Sequence, residues 1–334
     1  MKKNQILITA CLSFTALAFG LIYSTPQVAA QTNATGQGLE IAPPVITLTA
    51  DPGQTINTKI SLRDVSGGDL VVTGQINDFV ASGEGGAPKV LLEETDKSPY
   101  SIKDWISPLP ELTLKPKQIE NLPVTITVPT NAAPGGYYGV IRFTATPPEL
   151  KDTGVSLSAS LGALILLRVN GDVKEELSIE EFFVSKNGGK GTLFETAPLQ
   201  FSERLKNDGT IHEKPSGLVT ITDMFGNKTA TLGINQPPTN ILPGSIRKYD
   251  QTLDSSVIGN KILFGLYTAD LSITYGANNT VLNQKITFWV IPYTLIGATI
   301  AALIIAFLGL RYAIKRYNKH IRDQVLGTTK KSKK

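Results

Sequence analysis

The chain closes on an apolar run that only a membrane or a buried core can accommodate. From Phe288 to Leu310 no charged residue occurs, and Arg311, Lys315, Arg316, Lys319 and Arg322 follow at once. As a helix rising ~1.5 Å per residue, these 23 residues would reach about 35 Å, against a hydrocarbon core of roughly 30 Å. A membrane-spanning helix is therefore expected over 286–310. The tail over 311–334 carries nine Lys/Arg against a single acid, Asp323, which places it in the cytoplasm and everything before the helix outside. Trp289 and Tyr293 fall where one membrane interface would lie; Arg311, Tyr312, Lys315 and Arg316 fall where the other would.

A second apolar segment, Ile6 to Tyr23, follows Lys2 and Lys3 and precedes Val28-Ala29-Ala30. This is the layout of a secretory signal, so residues 1–30 are expected to be removed; an uncleaved anchor is the rival reading. Cys11 lies inside the apolar run and not at its end, which argues against lipidation, and it is the sole cysteine. The cleaved chain would then hold no disulfide and no thiolate metal site, and its folding must rest on ordinary hydrophobic cores. The net charge of +4 hides a division, because the signal carries +2 and the tail +8, leaving −6 between them from 21 basic and 27 acidic residues. That balance excludes nucleic acid as a partner of the external part.

Between the two apolar runs, period-two alternation recurs between Pro, Gly and Asn turns, and no long segment has helical periodicity. Strands are expected over 45–50, 55–63, 70–79, 122–128, 137–146 and 158–169, then over 177–185, 199–207, 217–223, 229–235, 244–250, 267–275 and 281–289. In the second of these, Ile56, Thr58, Ile60 and Leu62 share one face while Asn57, Lys59, Ser61 and Arg63 share the other. Leu161 to Val169 is more continuously apolar, as a strand buried on both faces would be. Asp223 to Asn227 is expected to close a hairpin with Gly226-Asn227 at positive φ. The expected fold is an all-β ectodomain of two tandem immunoglobulin-like β-sandwiches followed by one transmembrane α-helix. After a short linker, 31–37, the sandwiches occupy 38–172 and 173–285. Almost no stalk separates the last strand from the helix, so the second sandwich should sit close to the bilayer.

Side chains suited to catalysis are scarce. His212 and His320 are the two histidines, and His320 lies in the tail; a hydrolase would have to use His212, yet no Gly-x-Ser-x-Gly elbow accompanies it. Gly188 to Thr192 lacks the spacing of a phosphate loop and reads as a hairpin loop. Asp64 to Asp69 lacks the EF-hand pattern and reads as a turn. A non-enzymatic protein without a cofactor is expected. The segment 81–112 breaks the strand rhythm and contains Tyr100 and Trp105. With Tyr137 and Tyr138, which point to opposite faces of a strand, these aromatics are candidate ligand or partner contacts, core packing being the alternative for Trp105. In the terminal helix, Gly297/Ala301 and Ala298/Ala302/Ala306 form small-residue rows that would let two copies approach closely. Ile314, Tyr317, Ile321 and Val325 continue an apolar stripe along the inner leaflet.

Phe79 to Pro88, Trp105-Ile106, Leu114-Lys115-Pro116 and Val128-Pro129 through Pro134-Gly135-Gly136-Tyr137-Tyr138-Gly139 resemble the first domain of bacterial WxL-interacting, cell-wall-associated membrane proteins. Asn207 to Gly217, Asp223 to Asn227, Ile241 to Ser245 and Phe288 to Pro292 are similar to a related set of exported bacterial proteins. The resemblance implies a first domain engaging peptidoglycan, a second engaging an exported or cell-surface protein partner, and a helix anchoring both in the lipid bilayer. Trp105-Ile106-Ser107 and Trp289-Val290-Ile291 are not Trp-x-Leu motifs, so this chain would be the scaffold and not the WxL protein. The leading expectation is a surface scaffold or adhesion protein. Two others stay open: a signalling or assembly component acting through the basic tail, and an export chaperone binding clients at an open strand edge.

Overall fold

A computed structural model describes residues 38–93, 97–146, 159–259 and 261–331; the expected signal and linker lie outside these. The first sandwich contains β1 (Leu39–Ala42), β2 (Val45–Ala50), β3 (Thr55–Asp64), β4 (Leu70–Ser82), β5 (Ala87–Leu91), β6 (Leu112–Leu114), β7 (Ile119–Thr127), β8 (Gly135–Thr146) and β9 (Ala159–Val169). One sheet is β1-β3-β7 and the other β2-β9-β8-β4, with β5 and β6 both paired to β4. The second contains β10 (Leu177–Lys186), β11 (Gly189–Lys190), β12 (Leu193–Phe194), β13 (Leu199–Asn207), β14 (Ser216–Asp223), β15 (Lys228–Ile234), β16 (Ile246–Leu253), β17 (Gly265–Tyr275) and β18 (Thr280–Val290). Its sheets are β11-β10-β13-β16 and β12-β18-β17-β14-β15. A short helix, α1 (Ser255–Ile258), precedes β17, and a long one, α2 (Tyr293–Lys331), follows β18.

The alternation in β3 does what its sequence asks: Ile60 and Leu62 are fully buried while Lys59 and Arg63 are exposed. Two separate hydrophobic clusters result, one drawn from Leu39 to Val169 and the other from Leu177 to Val290. Each fully buried aliphatic or aromatic side chain contributes about 1.5–3 kcal/mol relative to exposure, and Phe143, Ile141 and Leu122 in the first and Phe201, Val219 and Phe288 in the second belong to this class. At the β10–β11 turn Asn187 and Gly188 both take positive φ, 50° and 81°, the geometry of a two-residue hairpin loop. In the β14–β15 turn the Asp223 carboxylate accepts from the amides of Phe225 and Asn227 at 2.9 and 2.8 Å. There Gly226 alone is left-handed, at φ 81°, and not Asn227 as expected.

Three expectations change. First, 81–112 is not one long loop: β4 continues to Ser82, turns through Gly83 and Gly86 at φ 58° and 66°, and returns as β5. Second, 244–250 starts as a turn at Gly244, φ 70°, and the strand runs from Ile246 to Leu253. Third, the boundary expected at 285/286 falls inside β18, and the helix expected over 286–310 runs instead from Tyr293 to Lys331. Phe288 and Val290 point into the core, where the Phe288 ring lies 5.5 Å from Phe201 and 5.7 Å from Tyr267. The apolar run was thus part core strand and part helix. The helical portion without charge, Tyr293 to Leu310, holds 18 residues, or about 27 Å at 1.5 Å each, and none of it is buried against the sandwiches.

Continuous hydrophobicity in β9 has a specific cause. Ala163, Ile165 and Leu167 face the first core, while Leu166 packs on the other side with Phe79, Tyr138 and Val140. Leu242 of the second sandwich covers that cluster. The outer face is buried at Leu166 because a second body lies against it there, while Leu164 and Arg168 stay half-buried.

Candidate functional site at the junction of the sandwiches

Three sets of contacts join the two bodies. At the first, the Gly136 amide donates to the Thr210 carbonyl at 2.8 Å. A Cβ on Gly136 would stand 2.0 Å from the Tyr138 hydroxyl and 3.2 Å from Ile211 Cα, so only glycine allows the close approach. Tyr138 is 1% exposed, its ring edge-on to Phe79, Tyr100 and His212, and its hydroxyl is 3.4 Å from His212 Nδ1. Burial pulls the His212 pKa down to about 4, with Arg168 and Lys214 adding to the effect, so the ring is neutral at pH 7 and serves as packing. Burial likewise pushes the Tyr138 phenol up. Tyr138 is therefore a joint between sandwiches and unavailable as a surface contact, which corrects its assignment as a candidate ligand residue.

The second set lies at the tip of the β4–β5 hairpin. Arg204 Nε donates to Glu84 at 2.9 Å and its Nη2 bonds the other carboxylate oxygen, a two-pronged arrangement suited to guanidinium and carboxylate. The Lys248 amide donates to the Glu84 carbonyl at 2.8 Å, and the Arg247 guanidinium packs where a Cβ on Gly86 would sit. Arg204 holds the Glu84 carboxyl below its ordinary range. The third set is the Arg168–Glu175 ion pair, 2.9 Å, across the connecting segment. Glu84→Ala is expected to leave each core intact and to free the hairpin. Faster hydrogen exchange at the Lys248 amide and a broader size distribution in small-angle scattering would report this; unchanged exchange would show the tip is held without the ion pair.

Between these contacts opens a cleft of about 380 Å³. Val45 and Thr47 of β2, Leu164 and Leu166 of β9, and Phe79 and Pro88 of the β4–β5 hairpin form its apolar side; Lys214, Asn240, Leu242 and Arg247 form the other. None of its lining residues carries a carboxylate, so two cations face an apolar floor. Arg247 is steadied by donating from Nη1 to the Asn240 carbonyl at 2.9 Å.

The rim of this cleft is an open strand edge. β2 pairs with β9 in parallel register, Val45 opposite Leu164 and Ala50 opposite Val169, and lies at the end of its sheet. The Leu164 amide donates to the Pro44 carbonyl and the Asn170 amide to the Ala50 carbonyl. Parallel pairing uses alternate residues, so 44, 46, 48 and 50 bond to β9 and the amides and carbonyls of Val45, Thr47 and Thr49 turn to the open side. All three residues are exposed, whereas Ile46 and Ala50 point into the core. The arrangement is that of a β-sandwich arm offering one strand edge beside an apolar, basic-walled cleft.

The other sequence candidates lie apart. Trp105 is half-buried against the first core, with its ring centroid 4.4 Å from that of Tyr137, and the Tyr137 hydroxyl donates to the Ala133 carbonyl at 3.0 Å. Tyr100 packs against Tyr138 and lines a smaller hollow of about 210 Å³ on the far side of Leu242. Trp289 is exposed on β18 and Tyr293 opens α2, along which Arg311, Tyr312, Lys315 and Arg316 follow. Val45, Thr47, Lys214 and Arg247 carried no sequence signal beyond the prolines at 43, 44 and 215 that bracket two of them. Among the described residues no group of three His, Cys, Asp or Glu is placed to hold a metal ion.

No family model and no curated protein matches the chain. Among solved structures it is similar to the YadV chaperone, at 14% identity and a TM-score of 0.35 over 75% of this chain and 99% of that one. It is also similar to the Escherichia coli chaperone DraB, at 12% and 0.34 over 76% and 98%. A structure of Salmonella enterica SafA pilin in complex with the SafB chaperone gives 12% and 0.34 over 76% and 97%. At these values nothing about partners passes from them to this chain.

Proposed function

We propose that the protein is a membrane-tethered binding arm that holds an extended segment of an exported polypeptide along the free edge of β2, with side chains of that segment reaching into the adjoining cleft. The observation that carries this reading is the alignment of the unpaired Val45, Thr47 and Thr49 backbone groups with the apolar floor of the cleft. Main-chain pairing would supply affinity, and the cleft would select apolar side chains flanked by acidic ones facing Lys214 and Arg247. Such a role needs no catalysis. It keeps the scaffold function implied by the resemblance to WxL-interacting proteins but gives the site to polypeptide; of the candidate aromatics Tyr138 is buried, and Trp105 and Tyr137 pack on each other outside the cleft lining. The signal at 1–30 and the basic tail would set the arm outside the membrane with the tail in the cytoplasm.

The test uses the full chain in lipid nanodiscs and a set of synthetic extended peptides that alternate apolar residues and include one acid. Binding should protect the Val45, Thr47 and Thr49 amides from hydrogen exchange and weaken as salt rises. Thr47→Pro removes an outward amide while sparing the ladder to β9, an edge position where proline is tolerated; affinity should fall about tenfold, equivalent to ~1.4 kcal/mol, with the melting temperature little changed. Equal binding by the proline variant, or no protection at the edge, would refute the reading.

A further inference from the structure

The end of the second sandwich from which α2 departs is built as a seat on the bilayer. The register places Leu193 opposite Trp289 and Gly265 opposite Val290, with Asp223 opposite Tyr267. The β14–β15 turn, the segment before β17 and the segment around β12 therefore converge where β18 ends. Only Ile291 and Pro292 separate β18 from α2. The first turn of α2 is tied back to the sandwich, because Glu195 accepts from both the amide and the hydroxyl of Thr294.

At that end the side chains are the reverse of what an aqueous surface selects. Phe225 is 81% exposed, Ile262 75%, Phe264 59% and Leu193 59%, with Met224 and Trp289 beside them at 48% and 45%. Nine large apolar side chains between Leu193 and Trp289 are exposed, and seven of them, Val257 included, sit at this end. At the opposite end, which meets the first sandwich, the 276–279 turn is closed by Gly276 and Asn279 in left-handed conformations and carries no large apolar residue. Exposed apolar tips clustered on one face mark a contact surface. The exposed Lys228 and Lys261 stand next in sequence to this cluster, a pairing of apolar tips and cations that suits anionic headgroups.

We infer that Phe225, Ile262, Phe264 and Leu193 insert into the headgroup boundary of the outer leaflet around the point where α2 enters it. The occupant of this face is the lipid bilayer itself, because the two-residue connection and the Glu195 tie hold the face beside the start of the helix. Anchored by the helix and by these tips, the second sandwich is fixed in orientation and holds the cleft away from the membrane, at the end where it meets the first. The inference rests on α2 spanning the bilayer and is independent of what the cleft binds.

The full chain is reconstituted in vesicles of phosphatidylcholine and phosphatidylglycerol, with an environment-sensitive fluorophore on Phe225→Cys or Ile262→Cys, and on Asn278→Cys as the distal control, each in a Cys11→Ser background. Shallow spin-labelled lipid should quench the first two several-fold more than the third, and iodide should do the opposite. Labels at 225 and 262 that iodide reaches as readily as 278 would overturn the seat. Labels shielded from iodide yet untouched by spin-labelled lipid would overturn it in favour of a protein contact. Extraction of the chain by alkaline carbonate would instead overturn the membrane reading of α2 and the seat with it, leaving peptide binding at the cleft to be judged by its own test.

Discussion

Replacing Glu203 by glutamine should stabilise the second sandwich, most of all at pH 8 and above. Glu203 is 0% exposed in the middle of β13, opposite Phe182 on one side and Tyr249 on the other. Its carboxyl is met by the Gln251 amide, which in the orientation that satisfies both groups donates to the two oxygens at 3.0 and 2.6 Å. Burial, followed by the nearby Asp250 charge, pushes its pKa up to about 8 from 4.5. The folded chain thus holds a proton that the unfolded chain releases, so stability is full below pH 4.5 and falls as pH rises towards 8. The span of pKa corresponds to a loss on the order of 3–5 kcal/mol, which glutamine avoids. Glu213, raised to about 7 by burial and then by Glu175, acts with the same sign. His212, lowered to about 4, acts with the opposite sign, its contribution growing between about pH 4 and 6.5. The wild-type profile should therefore fall most steeply around pH 6.5–7, where the histidine no longer offsets the carboxyls and Glu213 has not yet ionised fully. Urea unfolding from pH 5 to 9 decides the matter, since wild-type and Glu203→Gln curves that stay parallel would mean that Glu203 is ionised in the fold.

Asn207→Ala should have the second large effect and should damage the cleft as well as the fold. The Asn207 side chain is 0% exposed and bonds three backbone groups: Nδ2 donates to the carbonyls of Ile211 and Ile241 at 2.7 and 2.8 Å, and Oδ1 accepts from the Gly209 amide at 2.9 Å. Alanine leaves the Ile211 carbonyl and the Gly209 amide unpaired in the interior and the Ile241 carbonyl with the Glu213 amide alone, at a cost of about 2–4 kcal/mol. The segments it ties together carry His212 to Tyr138 and Leu242 to the cleft wall. Weaker peptide binding should accompany the lowered urea midpoint, together with faster exchange at Gly209. A melt within about 1 kcal/mol of wild type would mean that the segments hold without their hub.

Much of this molecule could be read from local pattern. The strands expected over 45–50 and 199–207 match to the residue, and that over 267–275 nearly so, because alternation between a buried and a wet face is a property of neighbours in sequence. The Asp223 to Asn227 turn was legible for the same reason. The short strands β1, β5, β6, β11 and β12 were not, since two to five residues give no period and their pairing comes from partners far along the chain. The start of α2 was misplaced because a core strand and a membrane helix are both apolar, and Phe288 and Val290 belong to the first while Tyr293 opens the second. In the block Pro134 to Gly139 the two tyrosines suggest exposure, yet Tyr138 closes the joint against His212 while Tyr137 packs on Trp105 at the first core.

What the sequence by itself determined was therefore the class of the molecule: two disulfide-free sandwiches and a charge-bounded apolar helix, each encoded in residues close together along the chain. What only the tertiary structure decided was the site. Val45 and Thr47 stand about 170–200 residues from Lys214 and Arg247, and no periodicity relates them. Which edge stays open, which face of β9 is covered and where two cations meet an apolar floor all depend on how one packed body docks on another through Gly136, Glu84 and Arg168. Docking is set by surface shape and by pairings between distant residues, and a one-dimensional pattern carries neither.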